Sequence, residues 1–109
     1  MKIQELVDAA YENAEAKGWH DPAPIMAEFI ALTHSELSEA LEEARDGRSM
    51  TEVYRTAESP KPEGVPIELA DAIIRIADFC GLHKIDLEAA IEAKMEYNRS
   101  RPRRHGRVF

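Results

Sequence analysis

The stretch Pro66–Gly81, PIELADAIIRIADFCG, decides the fold class. At 100° per residue, Glu68, Asp71, Arg75 and Asp78 fall within an arc of about 80°. Leu69, Ala70, Ala72, Ile73, Ile74, Ile76, Ala77, Phe79 and Cys80 fill the rest of the wheel. A surface helix has a broad polar face and a narrower apolar one. This one is the reverse, so it reads as a mostly buried helix carrying one narrow charged seam. Buried carboxylates are costly unless paired or bound to a cation. The seam therefore needs a partner.

The preceding helical stretch supplies one. In FIALTHSELSEALEEARDG (29–47), Glu36, Glu39, Glu43 and Asp46 repeat the i, i+3, i+7, i+10 spacing over a similar arc. Ile25, Phe29 and Leu32 project on the same side, so the acids are expected to point inward. Leu37, Leu41 and Ala44 form a second apolar face, which predicts packing beyond a single small bundle and hence a dimer.

Further out, Ile3, Leu6, Val7, Ala10 and Ala14 recur at helical spacing over about 2–17, with Gly18 as the stop. The second helix is expected to start near Asp21-Pro22-Ala23-Pro24, with Asp21 as cap, and to run to Asp46-Gly47. The third runs from Pro66 and ends at Gly81. The fourth starts at the cap Asp86 and runs to about Ser100, before Pro102. Between helices two and three, GRSMTEVYRTAESPKPEGVP (47–66) reads as a lid or a disordered strap, with a single helical turn around Met50–Tyr54. No stretch alternates with period two, so the class is all-α, a bundle of about four helices in one domain over 1–109.

Composition narrows the function. The 109 residues carry a net charge of -7. All 21 acids lie before residue 99 and face only nine basic residues there, whereas Arg99, Arg101, Arg103, Arg104 and Arg107 crowd a basic tail over about 100–109. An acidic body repels a nucleic-acid polymer and suits a cation. The lone Cys80 forms no internal disulfide. MKIQELVD opens with acids where a leader needs an apolar run, and no apolar run approaches the ~18 residues of a membrane span, so the expected address is the cytoplasm, with no membrane partner.

Glu36 with Glu39 and Glu68 with Asp71 are i, i+3 pairs, with Cβ atoms roughly 5–6 Å apart. Two such pairs facing each other make a hard-oxygen site of the kind Mg²⁺ takes while sharing phosphate oxygens. A structural ion pair, Asp71 with Arg75 or Asp78 with Arg75, is the competing account of the seam. It accounts for one acid and not for all three. Di-iron bundles need Glu-x-x-His, which neither pair provides. In helix four, Lys94, Asn98 and Arg101 share an arc of about 60°, suited to phosphate, although a cationic last turn also favours the helix dipole. Trp19, the sole tryptophan, reads as a core plug or as a stacking surface.

Taken together, GWHD (18–21), HSELSEALEE (34–43), KPEGVPIELADAIIRIAD (61–78) and IEAKMEYNRSRP (91–102) resemble the MazG-like all-α nucleoside triphosphate pyrophosphohydrolases. ExxE followed by ExxD on a second helix is the specific part, and the resemblance spans nearly the whole chain. It implies Mg²⁺-dependent cleavage of a (d)NTP to a (d)NMP and pyrophosphate, with Mn²⁺ as a substitute ion. It implies Glu36, Glu39, Glu68 and Asp71 as catalytic metal ligands, Lys94, Asn98 and Arg101 as substrate contacts and Trp19 as a base contact. It also implies assembly as a homodimer or homotetramer. The alternative is a non-catalytic helical assembly module whose carboxylates are structural or bind metal without turnover.

Overall fold

Apolar residues at helical spacing produce four helices: α1 (Ile3–Ala16), α2 (Met26–Arg45), α3 (Val65–Leu82) and α4 (Leu87–Ser100). The computed structural model describes residues 1–103, so the tail residues Arg104, His105 and Arg107 lie outside the described residues. Among the described residues there is no strand beyond an isolated bridge between Tyr54 and Glu63. The expected all-α class and the four helices are therefore observed.

Three local expectations need correction, each for a physical reason. Asp21 does not cap α2. Pro22 and Pro24 keep the residues before them out of the helical region, so the chain stays extended through Ile25 (ψ 163°) and the helix begins at Met26. Glu28 reaches back there to accept from the Ile25 amide at 3.2 Å. Gly81 does not end α3. It lies inside the helix, which runs on to Leu82, and the chain turns three residues after the glycine, at Lys84 with φ 56°. The reason for the glycine is room: a Cβ at residue 81 would lie 2.6 Å from the Tyr11 Cβ on α1. The third expectation, a helical turn at Met50–Tyr54, gives way to an open turn whose Ser49 amide donates to the Glu52 carboxylate at 3.1 Å.

Gly81→Ala tests the second point. Alanine gains about 1 kcal/mol of helix propensity. Overpacking against a Cβ, which cannot swing aside as a flexible tip can, costs about 1–3 kcal/mol. Net destabilisation is expected as a lower melting temperature; an unchanged or higher one would show that α1 and α3 are not this close.

Helix α3 is the centre of the molecule, flanked by α1 and α2, and α4 packs on α1. The α1–α3 seam is built from Val7, Ala10, Ala77 and Cys80, with Ile3, Leu6, Ile76 and Leu87 around them. Phe29 and Phe79 stack at 3.9 Å between ring centroids and join α2 to α3. Asp86 caps α4 as expected, accepting from the Ala89 amide at 3.0 Å.

The connection between α2 and α3 is tied down. Tyr54 and Glu63 exchange backbone hydrogen bonds of 3.0 and 2.8 Å. The Tyr54 hydroxyl donates to the Glu43 carboxylate on α2 (2.8 Å to Oε2), and the Arg48 guanidinium lies 3.6 Å above the Tyr54 ring. Gly64, at φ 129°, brings the chain into α3 directly against the Glu52 carbonyl, where no side chain fits.

The burial pattern differs from the expectation for α3. Leu69, Ile73 and Ile74 are exposed in the single chain, as are Leu32, Leu37 and Leu41 on α2. The buried residues include Glu36 and Glu68. Helix α1 closes on the side of α3 that carries Ala77 and Cys80 and α2 on the side that carries Glu68 and Phe79, which leaves Leu69, Ile73 and Ile74 uncovered.

Candidate metal centre

The i, i+3 pairs of α2 and α3 meet. Glu36, Glu39 and Glu68 each place a carboxylate oxygen within 4.8 Å of the others. Glu36 and Glu68 are buried, and Glu39 is exposed at the rim. The inward face of α2 is set by Thr33, Glu36 and Ala40, which are buried at helical spacing. That of α3 is set by Glu68 and Ala72. Glu68 stands only 5% exposed, and its Oε2 is buried without a hydrogen-bond partner.

The electrostatics follow from this crowding. Burial first, then the closeness of the Glu39 carboxyl and the neighbouring charges of Glu39, Asp71 and Glu36, push the Glu68 carboxyl up to about 7. Burial likewise raises Glu36, opposed by Arg75 and assisted by Asp71 and Glu39. Asp71 is half-buried and close enough to Glu36 to share a hydrogen bond with it. Of the four acids named from sequence, Glu36, Glu39 and Glu68 form the cluster, and Asp71 stands beside Glu36 outside it. The competing ion pairs within α3, Asp71 with Arg75 and Asp78 with Arg75, do not form. Arg75 instead places Nε 3.9 Å from Glu36 Oε1, and Asp78 pairs with His20 at 2.7 Å.

Such a donor set fits a hard divalent cation. All donors are oxygens, one is an orphaned buried atom, and the acids resist ionisation in the absence of positive charge.

Beside the cluster lies a cleft of about 640 Å³, bounded by Trp19, Leu32 and Ile74 on its apolar side and by Glu36, Asp71, Arg75 and Asp78 on its polar side. Trp19 is 60% exposed, so it is a wall of this cleft and not a core plug. Lys94, Asn98 and Arg101 do not line the cleft. Lys94 and Asn98 sit on α4, whose packing partner is α1, and Arg101 follows its last residue, with the Lys94 ammonium 4.8 Å and the Arg101 guanidinium 5.4 Å from the Tyr97 ring centre. One chain therefore brings together the four acids and Trp19 but not the cationic face of α4.

Two features of the site region carry no sequence signal of their own. His20 lies in a turn, with one partner five residues back and the other 58 residues on. Glu43 looks like another member of the acidic stripe but serves as the anchor of Tyr54.

Comparison with family models, with curated proteins and with solved structures gives no match for this chain. No helix among the described residues is long and apolar enough to cross a membrane.

Proposed function

We propose that the chain is a Mg²⁺-dependent, MazG-like nucleotide pyrophosphohydrolase that cleaves a (d)NTP between its α and β phosphates to give a (d)NMP and pyrophosphate. The observation that carries this reading is the unpartnered buried oxygen of Glu68 grouped with the carboxylates of Glu36 and Glu39, next to a cleft with one apolar and one charged wall. In this reading Glu36, Glu39, Glu68 and Asp71 hold the ion, with Mn²⁺ able to replace it. Bound there, Mg²⁺ supplies charge neutralisation to the phosphates. Phosphoryl transfer depends on in-line positioning and charge neutralisation more than on covalent help.

The protein's own groups do the rest. Trp19 offers a flat surface to the base, and Leu32 and Ile74 exclude water around it. Arg75, already beside Glu36, balances charge at the polar wall. Glu39, the exposed acid of the cluster, is the one that would give up direct contact with the ion to take the proton of an attacking water.

The reading includes a homodimer or homotetramer. The exposed Leu37 and Leu41 on α2 and Leu69 and Ile73 on α3 favour self-association, since each is apolar surface left in water. Lys94, Asn98 and Arg101 then meet phosphate where a second copy brings α4 to the cleft.

Incubation with a panel of NTPs and dNTPs plus Mg²⁺ tests the activity, and pyrophosphate release is the expected result. Orthophosphate instead would make the protein a phosphatase. No release from any nucleotide would favour the assembly module, which rests on the same exposed apolar side chains.

A further inference from the structure

His20 sits between two carboxylates from different helices. Its Nδ1 lies 2.6 Å from Glu15 Oε2 on α1, and its Nε2 lies 2.7 Å from Asp78 Oδ1 on α3. The imidazole side chain is 7% exposed and stacks on Tyr11, with centroids 5.2 Å apart. An ionised carboxylate only accepts hydrogen bonds, so both ring nitrogens must donate. A neutral imidazole has a single N–H, and the geometry therefore requires the imidazolium.

The position of this ring matters. It follows Trp19 directly in the turn that closes α1, where the Trp19 amide donates to the Ala14 carbonyl at 3.0 Å. Asp78 lines the same cleft as Trp19. The Nε2 contact is thus the side-chain link that holds the tryptophan turn to α3.

We infer that His20, held as an imidazolium between Glu15 and Asp78, is the positioning residue that fixes the Trp19 wall of the cleft, so that the grip on a planar ligand weakens when the ring loses its proton. A neutral ring keeps one carboxylate and turns a lone pair toward the other, and one of its two anchors is lost. The titratable and charged groups facing the ring are Glu15 and Tyr11 from α1 and Asp78 from α3. Glu36 of α2, with Asp71 and Arg75 of α3, lies further along the cleft. The hydrogen bond to Glu15, then that to Asp78, and the charges of both hold the proton above the ordinary histidine value of 6.5 against the opposing effect of burial. Because this value is raised, the clamp is in place below pH 6.5. It is lost as pH rises through the raised value.

Only the kinetic arm of the test rests on the nucleotide reading. Nitrogen-15 NMR of the His20 ring should show both nitrogens protonated at pH 6.5, with a titration midpoint above it; Glu15→Gln and Asp78→Asn should each lower that midpoint. Acrylamide quenching of Trp19, the sole tryptophan, should increase as His20 titrates and should be high at all pH values in His20→Asn. In the kinetic arm, with Mg²⁺ saturating so that the metal-site carboxylates stay deprotonated throughout, KM for the nucleotide should rise roughly fivefold across the same pH interval with kcat retained, the equivalent of one ordinary hydrogen bond. A midpoint at or below 6.5, or quenching unchanged through the His20 titration, would overturn the clamp. The wild-type titrations need no variant to fold, and they decide the matter even if no nucleotide is hydrolysed.

Discussion

Glu68→Gln is expected to lower pyrophosphate release by about 100-fold or more while raising the melting temperature of the metal-free protein. Outer residues that merely support a metal ligand cost up to about 100-fold when removed, so losing a ligand should cost at least that. The opposite sign for stability comes from the burial. Glu68 is 5% exposed, its Oε2 has no partner, and its carboxyl is pushed up to about 7. Above that pH the folded protein must hold a buried charge beside Glu36, Glu39 and Asp71, and a neutral amide of the same shape removes the charge. The native state binds the extra proton, so the stability of the metal-free wild type should fall as pH rises from about 4.5 through about 7 and level off above. In Glu68→Gln that fall should be shallower. A variant that turns over at near wild-type rate, or one that is less stable than wild type at pH 8, would remove Glu68 from the site.

Added Mg²⁺ is expected to reverse the same cost. A ligand that binds only the folded state at a free concentration about a hundredfold above Kd stabilises by about 2.7 kcal/mol. For a chain of this length that is a rise of roughly 10 °C in the melting midpoint. The gain should be large at pH 8, small at pH 5, and accompanied by proton release near pH 7, because the cation takes only the deprotonated carboxylate. Differential scanning calorimetry across pH, with and without Mg²⁺, reads both effects. A midpoint indifferent to Mg²⁺ at pH 8 would show that the acids are structural.

Much of the architecture could be read from the chain because helical period and caps are local. The spans of α1, α3 and α4, the Asp86 cap and the inward turn of Glu36 and Glu68 all depend on residues within a few turns of one another. The meeting of Glu36, Glu39 and Glu68 was legible because the acids of each helix repeat one short spacing. Other features depend on what packs against what. Gly81 looks like a stop signal, but it is a gap for Tyr11, a residue of another helix. Leu69, Ile73 and Ile74 look like core, but one chain has too few elements to cover them. The same limit applies to α4. Its cationic face is plain in the wheel, whereas the choice of α1 as its packing partner is not. His20 is the extreme case, because its two carboxylates follow no common period.

The central claim is that acids from α2 and α3 jointly grip one kind of ion, and paramagnetic Mn²⁺ reports on that directly. Titrated into carbon-13-labelled protein at pH 8, it should broaden the carboxylate signals of Glu36, Glu39, Glu68 and Asp71 first and together, before those of Glu42, Asp46 and Glu88. Broadening that begins elsewhere, or that touches the exposed acids no later than these four, would contradict it.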